Sequence, residues 1–235
     1  MPRDATDTRL RLVAAAEHEF ARRGVHQATT REILALAGQR NASALTYHFG
    51  TREHLLWAIL ERHNDGLEEG RRAWLSEPIT TMATRDLVAA LVVPYAGRLD
   101  TDDGRNYLRI VAQLTDMFPM WRSPPVTAPV LNAVLEVLEH RSGGAPADRR
   151  QRVVGMMMLM TTACADRARA LADGEALELG ADEFVSGLVD MIVALLEAPL
   201  GAPLRHAGGP IGNAARHAVP DGAARRHAAV TARSS

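Results

Sequence analysis

From about residue 7 to residue 197, apolar side chains return every three to four positions, and no run alternates polar with apolar residues between hairpin turns. A chain patterned this way buries its apolar face only by packing helix on helix, so the expected class is all-α. Leu10, Val13, Ala14, Phe20 and Ala21 predict a first helix over about 7–23, stopped by Gly24. Thr29-x-x-Glu32 has the form of a capping box opening a second helix, with Ile33, Leu34 and Ala37 on its buried side and Gly38 at its end. A short third helix, about 42–49, lies between Gly38 and Gly50. Thr51 caps a long fourth helix that carries Leu55, Leu56, Ile59 and Leu60 and reaches about Leu75 through Gly66. Past Pro78 come five more amphipathic segments, near 84–98, 104–118, 127–141, 147–173 and 181–197. From Pro199 onward proline, glycine, alanine and arginine replace the apolar period, so 199–235 reads as a disordered basic tail.

Composition excludes more than it selects. All 27 basic residues are arginine, which removes Schiff-base lysines, the Walker A loop and the kinase lysine. Neither a Gly-x-Ser-x-Gly elbow nor a His-Glu-x-x-His pair is present, and His48, His54 and His63 read as solvated residues of a surface helix and its neighbour. Cys164 is the single cysteine, which fits a reducing compartment. The N-terminus lacks an apolar signal core, and the longest apolar run, 153–165, is too short to span a bilayer, so the expectation is a cytoplasmic protein without a membrane partner. The net charge of −1 resolves into +2 over residues 1–54, −7 over 55–198 and +4 over 199–235. A basic head on an acidic body suits a protein whose head alone approaches phosphates.

Helix, tight turn and short helix between two glycines describe a helix-turn-helix, whose second helix enters the major groove while the first braces it. Thr29, Thr30 and Arg31 sit where the bracing helix would meet the DNA backbone. Arg40, Asn41, Ser43 and Thr46 offer donors and acceptors near the start of the short helix, and Tyr47 and His48 can donate to phosphate oxygens. Thr51 and Arg52 open the fourth helix, whose positive end attracts phosphate. The small residues Ala42, Ser43 and Ala44 stand where a core helix would carry leucine or isoleucine. The spacing by itself is equally compatible with two short helices of an ordinary bundle.

The runs Thr29-Thr30-Arg31-Glu32-Ile33-Leu34-Ala35-Leu36-Ala37-Gly38 and Leu45-Thr46-Tyr47-His48-Phe49-Gly50-Thr51-Arg52-Glu53-His54-Leu55 resemble the TetR family of repressors, as does the upstream stretch from Ala15 to Gly24. The resemblance covers about residues 8–60. It implies a three-helix DNA-binding domain over 1–50 and a helical ligand-binding and dimerisation domain over 51–198. Thr29, Tyr47, His48 and Arg52, in place of the family's lysine, are implied as phosphate contacts. This chain has one residue more than the common pattern in the turn 39–43 and lacks the usual glycine at the recognition-helix start. The base-reading set Arg40, Asn41, Ser43 and Ala44 is therefore left open to a shift of one position.

The resemblance further implies a homodimer formed by the last two helices, and Phe184, Leu188, Met191, Ile192 and Leu195, with Met156, are the expected interface. The same stripe would equally serve the chain's own core. Two recognition helices would then lie about 34 Å apart on a near-palindromic operator. Trp57, Trp74, Tyr95, Tyr107, Met117, Phe118, Trp121, Met157 and Met160 are the expected lining of a pocket for a small, largely apolar effector, thioethers and large rings being adaptable to such ligands. The expected function is a repressor released from its operator by that effector, with no cofactor, metal or catalytic residue. An activator or ligand-independent regulator is the first alternative, and a helical carrier or enzyme for an apolar metabolite the second.

Overall fold

The computed structural model describes residues 2–41, 43–75, 78–120, 126–199 and 201, together with 205–206 and 209–210. They fall into two units, Met1–Pro199 and Leu200–Ser235. Among its described residues the second unit has β1 (Arg205–His206) and β2 (Gly209–Pro210), which pair antiparallel. The reading of 199–235 as disordered falls largely outside the described residues.

Among the described residues of the first unit the regular elements are helices: α1 (Pro2–Arg23), α2 (Thr30–Leu36), α3 (Ala44–Phe49), α4 (Arg52–Trp74), α5 (Thr84–Ala96), α6 (Asp102–Val111), α7 (Pro129–Arg141), α8 (Pro146–Asp173) and α9 (Ala181–Glu197). Short 3-10 turns follow α5 and α6. The boundaries follow local chemistry. Thr29 Oγ1 accepts from Glu32 N (3.3 Å) while Glu32 Oε2 accepts from Thr29 N (2.9 Å), the reciprocal bond set of a capping box at the start of α2. Gly38, at φ +67°, closes the helix in a left-handed step that side chains resist, and Gln39 N reaches back to Leu34 O. Thr51 Oγ1 accepts from His54 N (3.2 Å) at the start of α4. At the end of α8, Glu175 N bonds to Ala170 O past Gly174.

Two apolar cores result. In the head, Leu12, Val13, Ala16 and Phe20 of α1 pack with Ile33 and Leu34 of α2, Phe49 of α3 and Leu55 and Ile59 of α4. Ile110 of α6 and Leu114 join the same core, so the head's packing runs past residue 50. In the body, α5, α6 and α7 surround α8 and α9 through Leu87, Leu91, Leu108, Leu135, Met156 and Ile192. The buried face of α1 differs in phase from the expected one: Leu10 is 57% exposed and Ala14 lies outside, whereas Leu12, Val13 and Ala16 are sealed. The α1 core line also contains Glu17, a charged residue that the apolar pattern passes over.

Close approach explains the glycines within helices. A β-carbon on Gly66 would lie 2.7 Å from Arg98 Nη2, which donates to His63 O (3.2 Å), so α4 continues through that glycine to admit the Arg98 side chain. Gly70 leaves room for Pro94 where α4 crosses α5. Among the described residues no helix is long and apolar enough to cross a membrane.

Candidate nucleic-acid interface and ligand cavity

The head turns one polar face outward. Ile33, Leu34, Ala37 and Phe49 are buried beneath it, while Thr29, Thr30, Arg31, Arg40, Asn41, Ser43, Thr46 and Thr51 are exposed and Tyr47 is 80% exposed. An exposed tyrosine ring on a six-residue helix gains nothing from the core and has a donor to offer a partner. Asn41 Oδ1 accepts from Ser43 N (2.9 Å), which fixes the turn before α3 and leaves the Asn41 amide nitrogen pointing away from that bond. The Ser43 hydroxyl caps no amide of α3. His48 is half-buried, edge-on to Tyr47 with ring centroids 5.0 Å apart.

Three expected DNA-contacting residues are held differently from the reading. Ala44 is 9% exposed and packs in the head core. The Thr29 hydroxyl is engaged in its own capping box, donating to Glu32 Oε2 (2.8 Å). Those bonds from Thr29 to Glu32 also hold the Glu32 carboxyl below its usual range. Arg52 is bound inward: Nη2 donates to Val25 O (2.5 Å) and Ala28 O (2.6 Å), Nε donates to Val25 O (3.0 Å), and the guanidinium lies 4.5 Å above the Phe20 ring. Burial draws its pKa below the ordinary arginine value. Arg52 thus ties the loop between α1 and α2 to the start of α4, because those loop carbonyls have no helix partner.

In the body, a cavity of about 150 Å³ opens between α4, α6, α7 and α8. Tyr107, Met117, Phe118 and Met157, four of the residues expected to line an effector pocket, are among those lining it. The other expected residues that are described stand elsewhere. Trp57 packs half-buried against the head core, and Trp74 is 44% exposed beside a separate groove with Arg85 and Asp86. Tyr95 is sealed behind Tyr107, edge-on at 6.2 Å, Met160 is buried in the body core, and Trp121 lies outside the described residues. The lining residues that went unnoticed are chiefly on α4 and α7: Leu60, Asn64, Arg71, Leu131 and Asn132. Their signal was available, since positions 60, 64 and 71 share one face of a helix.

Buried charge surrounds this cavity. Arg71 and Glu68 pair at 2.8 Å, both nearly sealed, and Glu68 also accepts from Val130 N (2.7 Å) and Leu131 N (3.2 Å) at the start of α7. Burial pushes the Tyr95 and Tyr107 hydroxyls up, an effect that Arg71 partly offsets. His63, read from the sequence as solvated, is 6% exposed; it stacks on Tyr107 at 4.5 Å and donates from Nε2 to Glu17 Oε1 (2.6 Å). Arg62 Nη1 donates to the other Glu17 oxygen (2.8 Å). The cavity wall is therefore joined through Tyr107 and His63 to α1 of the head. The sequence pattern hides this network because each member occupies an otherwise apolar face.

On α8 and α9, Met156, Leu188 and Ile192 are buried within the chain's own core and present no surface to a second copy. Met191 is 52% exposed, Met158 39%, and Phe184 and Leu195 are half-buried. Among the described residues, no group of three or more His, Cys, Asp or Glu side chains is arranged to hold a metal ion.

Residues 12–59 match the sequence profile described as bacterial regulatory proteins, tetR family. The chain is 34% identical over 110 residues to the HTH-type transcriptional dual regulator CecR of Shigella flexneri, covering 43% of this chain and 48%, about half, of that protein. It is 29% identical over 161 residues to the HTH-type transcriptional activator FasR of Mycolicibacterium smegmatis, covering 68% of this chain and 70% of that one. A crystal structure of a TetR-family regulator from Streptomyces coelicolor A3 aligns at a TM-score of 0.46 and 19% identity, over 81% of this chain and 95% of the other. Residues 12–59, where the profile match and the helix-turn-helix geometry coincide, carry the pattern of the DNA-binding head of the tetR family of bacterial regulatory proteins.

Proposed function

We propose that this regulator works in the cytoplasm as a homodimer, sets the α2–α3 faces of its two heads in successive major grooves of a near-palindromic operator, and leaves the DNA when a small, largely apolar molecule fills the body cavity. The observation that carries the reading is the division of the helix-turn-helix: its apolar residues are sealed in the head core while Thr30, Arg31, Arg40, Asn41, Ser43, Thr46 and Tyr47 form an outward polar face. Arg31 and Tyr47 suit phosphate oxygens, and Arg40, Asn41, Ser43 and Thr46 suit base edges. The dimer is assigned to α8 and α9 through their exposed apolar positions, Met158 and Met191, flanked by Phe184 and Leu195.

Release follows from the shared parts. α4 belongs to the head core at Leu55 and to the cavity wall at Leu60, Asn64 and Arg71. A molecule that displaces Tyr107 also acts on His63 and, through Glu17, on α1. A preference for the released state of about 1.4 kcal/mol lowers operator affinity tenfold, so a few such contacts suffice. Repression is the reading offered here; the activator named among the relatives favours activation as the second reading, since the same DNA face serves both.

Selection of duplexes from a random pool by the purified protein tests the DNA-binding half. Enrichment of an inverted repeat with half-sites one helical turn apart supports the dimeric reading, and failure to enrich any sequence refutes it. A reporter carrying the selected site then separates repression from activation.

A further inference from the structure

Arg9 lies on α1 one turn before Leu12 and Val13, so it continues the core-facing side of that helix past the end of the core. Its guanidinium lies over the Phe49 ring, 5.2 Å from the centroid, at the last residue of α3. Back along α3 from Phe49 come the His48 ring, with centroids 6.3 Å apart, and then the Tyr47 ring, a further 5.0 Å on. Arg9 is thus an exposed cation at the C-terminal end of the short helix, next to the rings that edge the polar face of the head.

Stacking occupies the flat face of a guanidinium and leaves its N–H edge free to donate. Among the described residues no carboxylate or carbonyl engages that edge in Arg9. Arg11 differs: it pairs with Asp7 (3.7 Å) and donates to Thr8 Oγ1 (3.3 Å). Two residues of helix are about 200° of rotation, so the two arginines stand on opposite sides of α1. Arg52, at the same end of α3 as Arg9, is bonded inward to the Val25 and Ala28 carbonyls, which leaves the place of an outward cation there to Arg9. One helix with its side chains fills a major groove about 12 Å wide, so a cation beside the end of that helix meets the phosphate ridge and not the base edges.

We propose that the DNA interface extends from the helix-turn-helix onto α1, where Arg9, held in place by the Phe49 ring, donates to a backbone phosphate at the edge of each half-site. This rests on reading the α2–α3 face as the DNA-binding surface.

Fluorescence anisotropy of the full chain on the selected duplex and on a duplex of unrelated sequence, each over a salt series, is the test. Arg9→Gln weakens binding to both duplexes by the same factor, about fivefold or more, and lowers the slope of log affinity against log salt by about 0.9 for each head. Arg9→Lys, which keeps the charge, restores most of that slope. Arg11→Gln removes an equal charge from the other side of α1 and changes the slope by less than about 0.3. Thermal melts confirm that each variant folds. An unchanged slope in folded Arg9→Gln, an equal drop in Arg11→Gln, or a loss confined to the selected duplex overturns the proposal. A native chain that binds duplex while Arg9→Gln keeps its slope retains the regulator reading and loses this one; a native chain that ignores every duplex at low salt loses both.

Discussion

Arg52→Met distinguishes a brace from a phosphate grip. In the structure the guanidinium makes three hydrogen bonds to the carbonyls of Val25 and Ala28 and stacks on Phe20. Methionine retains the stem but strands both carbonyls. Bonds to a charged donor are worth about 1.5–3 kcal/mol each, and the cation–π contact about 0.5–1 kcal/mol. The bonds share two acceptors and one half-buried side chain, so they do not add and water recovers part of the loss. The net effect is about 2–4 kcal/mol of stability. Urea denaturation measures this as a lower midpoint, and fluorescence anisotropy on a bound duplex gives the salt dependence of affinity. A residue that neutralises one phosphate contributes about 0.9 to the slope of log affinity against log salt. The brace predicts a loss of stability with the slope unchanged. A slope lower by about 0.9 with the midpoint unchanged would refute it.

Three further outcomes follow from the structure. Glu17→Gln weakens the charged bonds from Arg62 and His63; the variant still binds operator, but its effector-induced loss of affinity shrinks, and an unchanged response in a folded variant counts against this route. Burial raises the Cys164 thiol to about 12, so it stays protonated and unlabelled by a disulfide reagent at neutral pH until the protein unfolds; rapid labelling of the native chain contradicts its sealed position. The folded state holds the Glu32 carboxyl below its usual value, so its stabilisation is present above the unfolded carboxylate pKa and is lost as pH falls through the lowered one. Melts of the native chain and Glu32→Gln therefore converge in acid, and a gap that widens as pH falls contradicts the sign.

The helices were legible because their ends carry local chemistry. The Thr29–Glu32 box, Gly38 and the Thr51 cap act within a few residues, and so does the phase of Ile33 and Leu34. The exposed polar face of the head was legible for the same reason, as small and polar residues interrupt a short helix. Phase was lost where one residue misleads: Leu10 looks like the start of the α1 stripe, yet the buried line passes through Leu12 and Ala16 and includes Glu17. The cavity was half legible. Aromatic and thioether residues drew attention to Tyr107 and Met157, but Leu60, Arg71 and Asn132 come to line the cavity only when α4 and α7 meet. Likewise Leu188 and Ile192 fit an interface stripe equally well until α8 and α9 turn them inward.

The most direct measurement concerns Tyr47, which the head core does not need. Fluorescence anisotropy with a selected duplex at low salt compares the native chain with Tyr47→Ala. At 80% exposure the substitution leaves the melting temperature nearly unchanged. The account predicts duplex binding by the native chain and a loss of about tenfold or more in the variant. Equal binding by the two proteins, or a folded native chain that ignores every duplex, would contradict it.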